Sequence, residues 1–171
     1  MVRSGRGGGV ALSSRAVAVI EIRAAAGADA RALAELRWEF RTAGHDPNET
    51  HDAFVQRCTA WMLRELQRAS SWQAWVAVDD EEIAGQVWLF VVEKIPNPIA
   101  ELERLAYLSN LYVRPSARGG IGVRLLGSAL EWCRANQIDR VVLWPTQRSI
   151  TLYVRHGFTR DADVMELKIR S

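Results

Sequence analysis

Apolar positions along this chain recur first at every second residue, then at helical spacing, and the switches between the two rhythms mark out its elements. Residues 16–23 (AVAVIEIR) are β-branched and strand-like. After Ala-Gly-Ala-Asp, Leu33, Leu36 and Phe40 fall on one helical face, with Asp29 favourably placed in the first turn. The stretch Gly44-His45-Asp46-Pro47-Asn48 breaks that helix, and a second begins near Thr50, carrying Phe54, Cys58, Trp61, Met62 and Leu66. Residues 72–78 and 83–92 read as an antiparallel hairpin joined by the acidic turn Asp79-Asp80-Glu81-Glu82, with Pro96 and Pro98 ending the second strand. A strand over 105–113 stops at Pro115, and a glycine-rich turn leads into a helix with Val123, Leu126, Leu130 and Cys133 on its buried face. Residues 140–144 form a buried strand, 146–156 a short helix closed by Gly157, and Met165, Leu167 and Ile169 alternate with charged residues in a last half-buried strand. The predicted order is β-α-α-β-β-β-α-β-α-β: an α/β protein of the α+β kind, a mixed sheet with helices on its faces.

Composition narrows the class. With 171 residues, 49% hydrophobic and 25% charged, the chain suits one compact domain over 16–171, preceded by a disordered tail over 1–15 that is rich in Gly, Ser and Arg. Arg3, Arg6 and Arg15 supply three positive charges ahead of the first acid, Glu21, so the net charge of +2 leaves the remainder at −1. The folded part therefore lacks the clustered basic face of a nucleic-acid binder, and no nucleic-acid partner is expected. Cys58 and Cys133 lie at apolar positions of helical patterns, where a small hydrophobic side chain packs, and they form neither a disulfide framework nor a metal-ligand spacing. A reducing cytoplasm is the expected location. The longest early apolar run, 16–20, falls far short of the roughly 20 residues that span a bilayer, so no membrane partner is expected.

The candidate chemistry lies between Leu111 and Leu126. Glycines there remove the side chains that would keep an anion from backbone amides, and the following helix offers free N–H groups at its positive end. Such a turn can cradle a pyrophosphate; the alternative is a strand-to-helix turn whose glycines serve only its dihedral angles. A phosphate loop that ends in Gly-Lys-Ser/Thr is a weak match, because Gly122-Val123-Arg124 has neither the lysine nor the hydroxyl. A dinucleotide fingerprint is disfavoured because a hairpin, not a parallel unit, precedes the turn, although Asp139 lies near the distance such a motif would want.

The run Leu111-Tyr112-Val113-Arg114-Pro115-Ser116-Ala117-Arg118-Gly119-Gly120-Ile121-Gly122, followed by Leu125-Leu126, resembles the acetyl-CoA signature of the GNAT superfamily of N-acetyltransferases. Downstream, Leu152-Tyr153-Val154-Arg155-His156-Gly157-Phe158 is similar to that family's second mark, Leu-Tyr, a basic stretch and Gly-Phe. The resemblance covers 16–171, and it implies the GNAT fold and transfer of an acetyl group from acetyl-CoA, as co-substrate, to a primary amine of a small molecule or peptide, without a metal. It leaves a homodimer open. The loop is one residue shorter than the family's usual form: anchored on Pro115, Arg118 matches the family arginine, and anchored on Gly122 it falls one place late. By the same resemblance, Leu111, Tyr112 and Val113 supply amides to the pantetheine arm and the thioester carbonyl, and Arg118, Gly119, Gly120, Ile121, Gly122 and Val123 form the pyrophosphate cup. Tyr153 occupies the position of a general acid for the departing thiolate; read without the resemblance, it is a core tyrosine of a short amphipathic helix.

The family's usual strand glutamate has no counterpart, because the matching positions are Tyr107 and Ser109. Glu101 and Glu103 lie just upstream, in what reads as a solvated loop, which leaves proton removal to water. Acceptor choice in the resembling family falls to the first two helices and their connection. His45, Asp46, Glu49, His51 and Asp52 lie there, an acidic rim suited to a cationic amine, and their spacing matches no metal motif. Trp72, Trp75 and Trp88 on the hairpin either line an aromatic acceptor pocket or pack in the core. His156 falls in the last turn of its helix, where a cation is mildly favoured. The missing carboxylate keeps a second function in view, a non-catalytic acyl-CoA-binding regulatory module on the same scaffold.

Overall fold

The computed structural model describes residues 20–68, 71–100, 103–117, 119–160, 165–167 and 169. Its elements run β1 (Glu21–Ala24), α1 (Ala30–Thr42), α2 (His51–Gln67), β2 (Trp72–Asp79), β3 (Glu82–Glu93), β4 (Arg104–Val113), α3 (Ile121–Ala135), β5 (Arg140–Val142) and α4 (Ile150–Arg155), with short 3-10 turns before α1 and α4. The strands form one sheet in sequence order, antiparallel except for the parallel pair of β4 and β5. The predicted alternation of strands and helices is present through α4. The expected tail over 1–15 and the first residues of the first strand, 16–19, lie outside the described residues.

Local chemistry accounts for the boundaries. Thr50 caps α2, its hydroxyl accepting from the Ala53 amide at 3.3 Å. Asp29 accepts from the Ala26 amide and pairs with Arg23 at 2.7 Å, which fixes the entry to α1 against β1. Asp80 and Glu81 both take positive φ, 48° and 70°, the twist that a two-residue hairpin turn needs, and the acids tolerate it. Gly157, at φ 86°, follows α4 in the left-handed conformation expected of a helix stop.

Two cores sit on the two faces of the sheet. Trp75, Ala77, Val87, Leu89, Ala106 and Leu108 face α3 and α4, where Leu125, Leu126, Ala129 and Cys133 are buried. On the other face Ala74, Val76 and Trp88 meet Leu33, Ala34, Val55 and Met62 of α1 and α2. Within this second core Gln86 is fully buried: its side-chain amide donates to the Leu33 carbonyl at 3.2 Å, and its oxygen accepts from the Trp88 indole at 2.8 Å. A buried amide is stable only when both ends are so engaged.

Some expectations need correction. The buried stripe of α3 runs through Ile121, Leu125, Leu126, Ala129 and Cys133, and Val123 faces outward at 47% exposure, because the helix begins at Ile121 and its phase is set there. The strand expected over 140–144 ends at Val142, its residues are at most half-buried, and Trp144 is 65% exposed. The last strand is absent among the described residues: 165–167 carry no strand pairing, and Met165, Leu167 and Ile169 are all exposed. Their alternation describes a face with no sheet surface beneath it.

Candidate functional site

β4 carries the irregularity around which the site is built. Its partners on β3 run in step from Glu93–Arg104 to Trp88–Ser109 and resume at Gln86–Tyr112, so Asn110 and Leu111 together oppose Val87. Asn110 takes φ 56°, a left-handed conformation that asparagine accepts more readily than most residues. The extra residue shifts the phase of the strand. Ala106 and Leu108 before it, and Leu111 and Val113 after it, all belong to the α3 core. Ser109 and Asn110 are thereby aimed together at the α1–α2 face, where both line a cavity of about 340 Å³.

Beyond the same point β4 loses its other neighbour. The parallel pairing with β5 ends at Tyr107–Val142, and β4 continues to Val113. From Leu108 onward that edge offers alternate amides and carbonyls with no strand partner among the described residues. Leu111, Tyr112 and Val113 lie on this unpaired stretch of the edge. Tyr112 stacks on Phe40 at 5.2 Å, on the α1 side of the sheet. Arg114 makes a two-pronged ion pair with Glu39 of α1, its nearest approach 2.8 Å, and Tyr112 donates to the same carboxylate at 3.4 Å. The end of β4 is tied to α1 in this way.

The glycine turn has the form of an anion cup. Gly120 is the N-cap of α3 at φ 88°, no side chain caps the helix, and no acid lies in its first turn. The Arg124 amide bonds back to the Gly120 carbonyl at 3.2 Å, so the amides of Ile121, Gly122 and Val123 precede the first helical bond. A β-carbon at Gly119 or Gly120 would meet nothing within 4 Å, and one at Gly122 would touch only Val113, at 3.9 Å. These glycines thus face open space, with only Val113 among the described residues near a β-carbon added at them. Ile121 is 1% exposed, which leaves only its amide to serve the cup. Arg118 lies outside the described residues.

Tyr153 of α4 is 8% exposed, belongs to the α3-side core and meets Phe158 edge-on at 5.4 Å. Burial pushes its phenol above the ordinary value, so it stays protonated at neutral pH. His156 donates its Nδ1–H to the Leu152 carbonyl one turn back on the same helix, at 2.8 Å.

The remaining candidates divide. Glu103 lies at the far end of β4 from the glycine turn, roughly 30 Å along the strand, and Glu101 is outside the described residues. Trp72 and Trp88 line the cavity, whereas Trp75 points through the sheet to Trp132 at 6.0 Å. Part of the acidic rim is paired: Glu49 with Arg57, while His51 bridges Glu35 at 2.7 Å and Asp52 at 3.2 Å. Among the described residues no group of three or more His, Cys, Asp and Glu side chains converges as a metal site would, and no helix is long and apolar enough to cross a membrane.

The His51 bridge is open to a direct check. Its hydrogen bond to Glu35, then that to Asp52, raises the imidazole above its ordinary 6.5. A raised folded value means that the bridge stabilises α1 against α2 fully below about pH 6.5 and fades as pH climbs through the folded value. NMR titration of His51 is expected to give a midpoint above 6.5 that falls toward it in Glu35→Gln; unchanged midpoints would rule out the bridge.

Sequence reasoning missed Arg37, Phe54, Trp61 and Asn110 as members of the cavity wall. Signals for two of them were present. Arg37 follows Leu36 and precedes Phe40 on the apolar stripe of α1, a charge at a core-facing position, and Asn110 interrupts a strand of otherwise good β-formers.

The model of the acetyltransferase (GNAT) family matches residues 30–158. A search of curated protein sequences finds no relative. Among solved structures, a GCN5-related N-acetyltransferase from Ralstonia eutropha JMP134 is 28% identical, with a TM-score of 0.71 over 88% of this chain and 99% of its own. A predicted acetyltransferase with acetyl-CoA from Clostridium acetobutylicum is 20% identical, with a TM-score of 0.73 over 88% of this chain and 97% of its own. Glucosamine-6-phosphate N-acetyltransferase from Arabidopsis thaliana, at 15% identity, reaches 0.66 over 89% and 99%.

Proposed function

This chain belongs to the acetyltransferase (GNAT) family, and from that premise we propose that it transfers an acetyl group from acetyl-CoA directly to a primary amine. The observation that carries the reading is the conjunction on one strand: an uncapped helix N-terminus behind open glycines at one end of β4, and an unpaired strand edge leading from it to the bulge at Asn110. Amides of Ile121, Gly122 and Val123 suit a pyrophosphate, and the free edge of β4 suits an extended amide-bearing arm. The bound thioester supplies the acyl carbonyl that the amine attacks.

The protein's part is to position and to supply a proton. The new N–C bond forms as the C–S bond breaks, the thiolate takes the phenol proton of Tyr153, and the amine yields its own proton to water. Tyr153 suits the task because its phenol, protonated at neutral pH, holds a proton to give as the thiolate departs. No carboxylate of β4 faces the bulge, which supports solvent as the proton acceptor. The α1–α2 cavity opens on the bulge from the opposite face of the sheet, so the amine approaches from there.

The test is thiol release from acetyl-CoA against a panel of free amino acids, simple amines, peptides and aminoglycosides. Release with one class, absent without an amine, is the expected result. Tight acetyl-CoA binding with no release from any acceptor would leave the regulatory module as the better account.

A further inference from the structure

The cavity has a chemistry of its own, and it departs from the cationic amine site that the acids of the α1–α2 connection suggested. Arg37 lies in its wall, largely withdrawn from water, and desolvation together with the charge of Arg41 lowers its guanidinium from the ordinary value. Among the described residues no acid pairs with it; its recorded partner is the neutral Asn110 oxygen, at 3.0 Å. Among the described residues no acid lines the cavity, and Glu39, Glu49 and Glu35 of α1 and the α1–α2 connection pair with Arg114, Arg57 and His51. A cation drawn out of water without a counter-ion is costly unless a ligand supplies one, and a single planar guanidinium matches the two oxygens of a carboxylate. Around it stand Trp61, Trp72 and Trp88, with ring centroids 5.4 to 6.1 Å apart, and Phe54, 5.5 Å beneath the guanidinium carbon of Arg57. At about 340 Å³ the space is at the small end of the range for small-molecule sites, about 300–1,000 Å³.

Resting on the transferase reading above, we infer that the acceptor is a free α-amino acid with an aromatic side chain: its carboxylate on Arg37, its ring among the indoles, and its α-amine toward the bulge. The three groups radiate from one carbon, and Arg37 touches Asn110, so a carboxylate on its open edge carries the amine to the neighbouring backbone of Leu111. A peptide N-terminus lacks the free carboxylate and a simple amine lacks the anion altogether.

The experiment compares L-phenylalanine, L-phenylalaninamide and 2-phenylethylamine, by calorimetric titration into protein saturated with CoA and, in parallel, by thiol release with acetyl-CoA. Wild-type protein is expected to bind the acid about 10- to 100-fold more tightly than either analogue, the range of a charged hydrogen-bonded pair. Arg37→Gln is expected to bring the three within about threefold, and Arg37→Lys to restore part of the difference. The wild-type comparison decides even where a variant does not fold. Equal binding of acid and amide, or no binding of the acid, overturns the inference. Thiol released equally from all three leaves transfer standing and the inference refuted; selective binding of the acid without thiol release refutes transfer and the acceptor role with it, and leaves only recognition of the acid at Arg37.

Discussion

Replacing Gly122 by tryptophan is expected to abolish stabilisation by acetyl-CoA while leaving the fold intact. In the wild-type protein, ligand at 100 times its dissociation constant adds about 2.7 kcal/mol, which at this size raises the melting temperature by roughly 5 to 10 °C. A β-carbon at Gly122 makes only an ordinary 3.9 Å contact with Val113, so the backbone accepts a side chain, and glycine is a poor helix former in any case. The indole is expected to cover the amides that precede the Arg124–Gly120 bond. Differential scanning fluorimetry with and without acetyl-CoA reads the effect; a shift that survives the substitution would place the diphosphate elsewhere.

Tyr153→Phe separates binding from chemistry. The melting shift with acetyl-CoA is expected to be unchanged and kcat to fall by roughly a hundredfold or more, the scale of a lost general acid. Stability offers no competing explanation, because among the described residues no protein group hydrogen-bonds to the hydroxyl, and the ring keeps its packing against Phe158. Loss of a leaving-group proton would also steepen the dependence of rate on the thiol's acidity, a signature that a packing defect does not produce. Turnover equal to wild type would return Tyr153 to the core as an ordinary aromatic.

What could be read from the sequence was whatever depends on neighbours along the chain. The hairpin turn at Asp80 and Glu81, the cap at Thr50 and the stop at Gly157 are local devices, and each is where its residues put it. The GNAT signature was legible for the same reason, since turn and helix start are contiguous. The acceptor side was not, because it is assembled across the sheet from α1, α2, β2, β3 and β4. Trp75 illustrates the limit: period-two alternation already separates it from Trp72, and only the sheet shows which face holds a cavity. The bulge was hidden as well. It reverses the phase of β4 after Asn110, and without it Ser109 and Asn110 would point to opposite faces. Among the described residues the final strand has no pairing, because alternation states a preference for a surface without supplying the surface.

Gln86 sets the position of the recognition face before any ligand arrives. Its amide has one acceptor on α1, the Leu33 carbonyl, and sliding the helix by one turn, about 5.4 Å, would strand that amide in a dry interior. Arg37 is one turn further along the same helix, so the peg that indexes Leu33 to β3 also indexes the guanidinium to Asn110 on β4. Folding itself thus cuts the lock, and selectivity at this face is a matter of static geometry, inherited from a glutamine that no substrate touches.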